Sequence, residues 1–164
     1  MLYMFGWIKA LLILPFNVLI IIPALILYFS NYQYTIQTPV FLVIGAVLFI
    51  IGLFFASWTM ILFSKIGKGT LAPWEPTKHL IVEGPYGYVR NPMITGVLLM
   101  LSGEYFLTGA AQLLLWLGLF FLINCIYFPL SEEKHLEEKF QDEYRAYKKN
   151  VPRWIPRLTK WEPK

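Results

Sequence analysis

The chain has 164 residues, 57% hydrophobic, 18% aromatic and only 15% charged, with net charge +4 and mean hydropathy +0.56. That balance excludes an ordinary soluble domain, which could not bury so much apolar surface, and implies one compact membrane domain over residues 1–164. The basic residues lie beside apolar stretches, so the partner they imply is a bilayer surface and not nucleic acid.

No Asp, Glu, Lys or Arg occurs from Leu11 to Ser64. A first span is expected from about Trp7 to Phe29, kinked at Pro15 and Pro23, because a spanning helix tolerates proline when neighbours re-satisfy the freed carbonyls. The run is long and no small-residue cleavage site closes it, so a cleavable leader is not expected. An uncharged polar loop, Ser30 to Thr38, leads into a second span over about 39–64. The stretch 65–91 carries Gly67, Gly69, Pro73, Pro76, Gly84, Pro85 and Gly87, the punctuation of a loop. Its glycines allow close approach to a ligand or simply serve turns, and Leu80-Ile81-Val82 offers backbone groups to a flat ring.

A third, short span is expected over about 92–107, opened by Arg90-Asn91-Pro92, where proline suits the first helical turn. Gly96 leaves a notch on it, of the kind that usually serves helix packing. Glu104 falls near its outer end, where a snorkelling or helix-pairing role outweighs a functional one. The turn Thr108-Gly109 leads to a fourth span over about 110–130, holding the lone Cys125. One cysteine excludes an intrachain disulfide and a cysteine-rich metal cluster, and no metal site is expected.

After the fourth span, 131–164 reads as an amphipathic helix with a tail. Leu136, Phe140 and Tyr144 recur at every fourth position, with Tyr147 and Val151 extending the stripe. Glu132 and Glu133 border that stripe, whereas Glu137, Glu138, Asp142 and Lys148 fall on the solvated side. Acids favour a helix start, but a helix continuing from the fourth span has no free start there. Of the 14 Lys and Arg residues, Lys9 precedes the first span, four lie in the 65–91 loop, and nine follow the fourth span. The positive-inside rule then puts both termini and that loop in the cytoplasm. The expected fold is all-α and polytopic, with about four transmembrane helices plus a C-terminal cytosolic amphipathic helix.

Two motifs carry a resemblance over about 65–156. Leu80-Ile81, Gly84, Tyr86, Arg90-Asn91-Pro92 and Gly96 are similar to Leu-Val-x-x-Gly-x-Tyr-x-x-x-Arg-His/Asn-Pro-x-Tyr-x-Gly. Glu132-Glu133, Leu136, Phe140, Tyr144, Tyr147, Val151-Pro152 and Pro156 resemble Glu-Glu-x-x-Leu-x-x-x-Phe-Gly-x-x-Tyr-x-x-Tyr followed by Val-Pro and a further Pro. Both patterns are those of the integral-membrane methyltransferases that include isoprenylcysteine carboxyl methyltransferase and the phospholipid N-methyltransferases. The resemblance implies an S-adenosyl-L-methionine-dependent enzyme with a cytosol-facing site and a lipophilic acceptor drawn from the lipid bilayer, such as a lipid amine, a thiol or a prenylated cysteine. It implies that Leu80, Ile81, Val82, Gly84 and Tyr86 hold the nucleoside, that Asn91, Pro92 and Gly96 line the pocket, and that Glu132, supported by Glu133, takes a polar end of the cofactor. The catalytic group is left open between Arg90 and Asn91.

Three positions depart from the pattern. Asn91 stands where the animal carboxyl methyltransferases have His, and Ile94 replaces the pattern's Tyr. Phe128 stands where the prenylcysteine-carboxylate enzymes have the arginine that holds the substrate carboxylate, which favours a neutral lipid, amine or thiol acceptor. Gln141 in place of Gly is expected to be harmless on a helix. Two other classes stay open: a membrane reductase of the sterol-reductase type, and a non-catalytic membrane scaffold.

Overall fold

A computed structural model describes residues 15–67 and 77–163, and every regular element among them is helical. The start of the expected first span, Lys9, Lys68, Gly69, Pro73 and Pro76 lie outside the described residues.

Proline shapes the first helix at one of the two expected positions, as a change of helical register. Pro23 lacks an N–H and crowds the carbonyl a turn earlier, and the chain answers with a widened π turn, Asn17–Ile21, ahead of helix α1, Ile22–Phe29. The Ile22 N–H reaches Asn17 O. In that wider register the Val18 carbonyl would pair with residue 23, which has no proton to give. The indole Nε1 of Trp116 donates to Val18 O instead, at 3.1 Å. A carbonyl orphaned by proline is thus satisfied from another helix.

Helix α2 spans Pro39–Leu62 and ends in a second π turn, Phe63–Gly67. Thr38 caps its start, Oγ1 accepting from Phe41 N at 3.4 Å, and Pro39 fills the first helical position. Helix α3, Pro92–Thr108, again opens on proline and stops at Gly109, whose φ of 72° is a left-handed cap that glycine adopts without strain. The polar loop after α1 reaches this corner: the Tyr32 hydroxyl and Gln37 Nε2 both donate to Thr108 O. Helix α4 covers Ala111–Tyr127, a third π turn covers Phe128–Glu132, and α5 covers Glu133–Asn150. This last π turn sits at Pro129, which cannot donate to the Cys125 carbonyl; the Glu133 N–H reaches back to Phe128 O.

Two helical runs, 39–67 and 111–150, are long and apolar enough to cross a membrane by length and composition, and 17–29 and 92–108 are shorter apolar helices. Helices α2 and α3 meet along a seam of glycines. A Cβ on Gly52 would lie 2.5 Å from Gly96 O, and one on Gly96 would lie 2.8 Å from Gly52 O and 3.0 Å from Ala56 N. One heptad away, Gly45 and Gly103 repeat the arrangement, each Cβ falling within 3.0 Å of the other's carbonyl. Only hydrogen fits between these backbones, and close approach of this kind holds apolar helices together where burial from water supplies no drive.

The C-terminal helix is not a single straight rod. In a straight helix Glu133 and Lys148 would lie about 22 Å apart along the axis, yet Lys148 Nζ is 3.5 Å from Glu133 Oε2 and 3.2 Å from Glu137 Oε2. Arg145 Nε likewise reaches Glu137 Oε1 at 3.2 Å. The chain turns at Gln141, with φ 44° and ψ −119°, and 142–150 returns along 133–140. These dihedrals suit glycine and strain any other residue, so the expectation that Gln141 is harmless on a helix is corrected. The stripe survives the turn: Tyr144, Tyr147 and Val151 are buried together against Leu136 and Phe140, the two halves facing each other.

Candidate functional site

The loop, α5 and the residues after α5 converge on one buried carboxylate. Arg153 donates from Nε to Glu133 Oε1 at 2.7 Å and from its terminal nitrogen to Oε2 at 3.0 Å. Arg90 donates to the same Oε1 at 2.9 Å, and Lys148 is the third cation. Glu133 is only 4% exposed. Burial alone would push its carboxyl up, but the Arg153 hydrogen bond and the charges of Arg90, Arg153 and Lys148 hold it below the usual carboxylate range. Three separate segments are pinned through this one side chain. A bidentate guanidinium–carboxylate pair fixes direction as well as distance.

Backbone bonds reinforce the convergence. Arg90 N donates to Pro152 O at 2.9 Å, Arg157 N to Tyr88 O at 3.0 Å and Trp161 N to Gly87 O at 2.9 Å, so the tail lies against the loop. The Tyr147 hydroxyl donates to Tyr86 O at 2.8 Å. Gly84 makes the sharp entry to the short 3-10 turn Gly84–Gly87, with φ 57°, and a Cβ there would meet the Leu62 and Trp58 side chains.

Beneath this roof lies a cavity of about 530 Å³, within the range of small-molecule sites. Its mouth is lined by Leu80, Ile81, Tyr86, Arg90, Asn91, Glu132, Glu133, His135, Tyr144 and Tyr147. Its inner end runs between the helices and is lined by Val18, Met60, Met93, Val97 and Phe120. Charged groups therefore come from the loop and the start of α5, while the lining supplied by the helices is apolar apart from Asn124.

Glu132 and Glu133 are neighbours with opposite electrostatics. Glu132 makes no hydrogen bond or ion pair among the described residues, and burial raises its carboxyl above the ordinary value despite the opposing pull of His135. Tyr86, fully packed, is pushed well up by burial, with Tyr147 and the Glu132 charge adding to the effect. Tyr144 is pushed up to about 12, mainly by burial.

Two buried nitrogens at the mouth have no partner: Arg90 Nε and Asn91 Nδ2. Asn91 precedes α3 at the capping position, yet its side chain makes no capping hydrogen bond. Buried donors without acceptors are costly in a finished site; here they line a cavity that has room for an acceptor. An unpaired carboxylate, two unused donors and aromatic rings suit a ligand that carries an ammonium, a carboxylate and a heterocycle.

Not every residue singled out in the sequence lines this cavity. Leu80, Ile81, Tyr86, Asn91, Glu132 and Glu133 do; Val82, Gly84, Pro92 and Gly96 are not among its lining residues. Val82 packs against the Tyr144–Tyr147 cluster, Gly84 makes the turn, Pro92 is fully buried at the start of α3, and Gly96 faces Gly52 across the seam. Arg90 is turned inward onto Glu133. Phe128 lines the cavity and stacks edge-on against Trp154, ring centroids 5.9 Å apart. Glu104 lies outside the cavity lining. Sequence reasoning missed Arg153: it lies 20 residues from Glu133, and no local spacing links them.

Residues 40–143 match the family model described as phospholipid methyltransferase. A stretch of 44 residues is 50% identical to a protein of Haemophilus influenzae described as uncharacterized, covering 26% of this chain and 70% of that protein. No solved structure matches.

Proposed function

Because this chain belongs to the phospholipid methyltransferase family, we propose that it transfers a methyl group from S-adenosyl-L-methionine to a lipophilic acceptor entering from the bilayer. The observation that carries this reading is the cavity itself, with the unpaired Glu132, Arg90 Nε and Asn91 Nδ2 where the loop meets the start of α5 and an apolar lining between the helices. In this reading four spans cross the membrane, and the distribution of basic residues puts both termini and the cavity mouth on the cytoplasmic side.

When bound, the cofactor supplies a methyl group on a positively charged sulfur. Glu132 is suited to its amino group, and Asn91 Nδ2 and Arg90 Nε to its carboxylate. Leu80, Ile81 and Tyr86 offer an apolar and aromatic wall for the nucleoside. Glu133 is a positioning residue: with its charge spent on Arg90, Arg153 and Lys148, it holds the loop against α5. Gly96, Gly84, Val82 and Pro92 act through packing that shapes these walls.

The acceptor's acyl portion suits the inner end by Val18, Met60, Val97 and Phe120. That would bring an amine up beside the cofactor's positive sulfur, where its ammonium form is disfavoured and the lone pair is free to attack the methyl carbon. The S–CH3 bond would break to leave S-adenosylhomocysteine, and the methylated ammonium would give up its proton to solvent. Phe128, in the place of the carboxylate-holding arginine, supports an amine or thiol acceptor over a carboxylate. Displacement at a methyl group needs two reactants held in line and water kept away, which a closed cavity supplies without an enzyme nucleophile.

Isothermal titration calorimetry of the purified protein with S-adenosyl-L-methionine and S-adenosylhomocysteine tests the reading. Binding to wild type that weakens in Glu132→Ala and Asn91→Ala is expected. No binding to wild type, or equal binding in both variants, overturns it. Labelled-methyl transfer to a panel of lipid amines and thiols then identifies the acceptor.

A further inference from the structure

The residues after α5 do more than brace the loop. Pro152 and Pro156 keep 151–158 out of helical geometry, and the segment folds back beside α4. There Trp154 packs edge-on against Phe121 at 5.3 Å and Phe128 at 5.9 Å. Phe121 precedes Glu132 by eleven residues, about 16 Å of helix axis, so this ring contact reaches well past the polar mouth. Around the helix from this contact, on a different face of α4, Leu119, Leu122 and Ile126 are all more than half exposed. Next to Trp154, Ile155 is 80% exposed and Leu158 is 100% exposed. Water does not stabilise such residues, and basic residues flank them in the sequence: Lys149 at the end of α5, Arg157, and Lys160, which pairs with Glu162 at 3.0 Å.

The geometry points to Trp154–Leu158 as an interfacial anchor, with Ile155 and Leu158 among the acyl chains at the Glu132 end of α4 and the basic side chains at the level of anionic headgroups. Tryptophan at that depth and cations just outside it are the side chains an interface selects. The partner is a lipid surface. The inference rests on α4 as a spanning helix and is independent of the methyl-transfer reading.

The test replaces Cys125 with Ser and places one cysteine at a time, labelled with an environment-sensitive fluorophore, in nanodiscs of phosphatidylcholine and phosphatidylglycerol. Leu122→Cys, on the exposed flank of α4, is the reference for lipid, and Arg145→Cys is the reference for water. Brominated acyl chains are expected to quench the label in Leu158→Cys and Leu122→Cys, while aqueous iodide quenches only that in Arg145→Cys. Iodide quenching at 158 without bromolipid quenching overturns the anchor and leaves the span intact. Protection at 158 from both quenchers also overturns it, in favour of a protein surface such as a second copy. Failure of bromolipid to quench at 122 overturns the spanning reading and the anchor with it.

Discussion

The α2–α3 seam and the mouth of the cavity share α3, yet they are held by opposite means. At the seam the sequence removes side chains: Gly45 faces Gly103 and Gly52 faces Gly96, and backbones touch. At the mouth it concentrates charge, with three cations gathered on Glu133. The seam contains nothing that titrates and nothing a ligand would use. Held by shape, it ought to be indifferent to pH and salt but to lose stability with a single added carbon and fail with a branched side chain. The mouth ought to tolerate small changes of shape and respond sharply to charge. A site that must admit and release ligands is thereby mounted on a joint that does not open.

Breaking the seam gives the largest effect. Gly52→Leu or Gly96→Leu is expected to yield no monodisperse protein in detergent, because a Cβ already falls 2.5 to 2.8 Å from a backbone oxygen before any branch is added. Gly96→Ala should survive at a cost of about 1–3 kcal/mol, read as a lowered Tm that does not vary with pH. A Gly96→Leu variant with wild-type Tm would show the seam to be looser than its backbone spacing.

The mouth comes second. Glu133→Gln leaves Arg90 and Arg153 buried without a counter-charge and should destabilise by about 3–5 kcal/mol, measured by chemical unfolding in detergent. The sign with pH follows from the lowered carboxyl: its stabilisation is complete above the unfolded value near 4.3 and is lost as pH falls through the lower folded value. Wild type should show this acid limb and Glu133→Gln should lack it.

Glu132 should separate from its neighbour. Its raised carboxyl means that the charged form is held against its preference, so burial costs stability at neutral pH and the cost fades as pH falls. Glu132→Gln is expected to keep or raise Tm while weakening S-adenosyl-L-methionine at least about tenfold, roughly 1.4 kcal/mol. Titration calorimetry from neutral to mildly acidic pH should show wild-type binding weaken as Glu132 takes up its proton. Loss of Tm in Glu132→Gln would make it a structural residue like Glu133. The smallest effect is expected at the turn: Gln141→Gly should raise Tm by relieving positive-φ strain, for a net gain of about 1 kcal/mol.

What the sequence made legible was local. Thr38-Pro39, Asn91-Pro92 and Gly109 mark helix ends because capping chemistry acts within one turn, and the structure starts and stops α2 and α3 there. The stripe of Leu136, Phe140, Tyr144, Tyr147 and Val151 was legible as one apolar surface, but its period is the same for a straight helix and for two halves folded together. The glycine of the family pattern at position 141 was the sole hint of the turn. Gly96 was ambiguous between pocket and packing because its partner, Gly52, lies on another helix. Arg153 was invisible for the same reason: a contact made by the fold and not by spacing leaves no periodic trace.

The reversal at Gln141 also sets an order of events during synthesis. Helices α2 and α3 can close their glycine seam before the chain beyond Gln141 is made, since a chain folds from its N-terminal side as it emerges. The cavity is not finished by then. Tyr144, Tyr147 and Arg153 come after the turn, and only when they swing back do Glu133 and the loop lock into place. A nascent chain halted at the turn would keep its seam, yet lack the residues that hold the polar side of its cavity together.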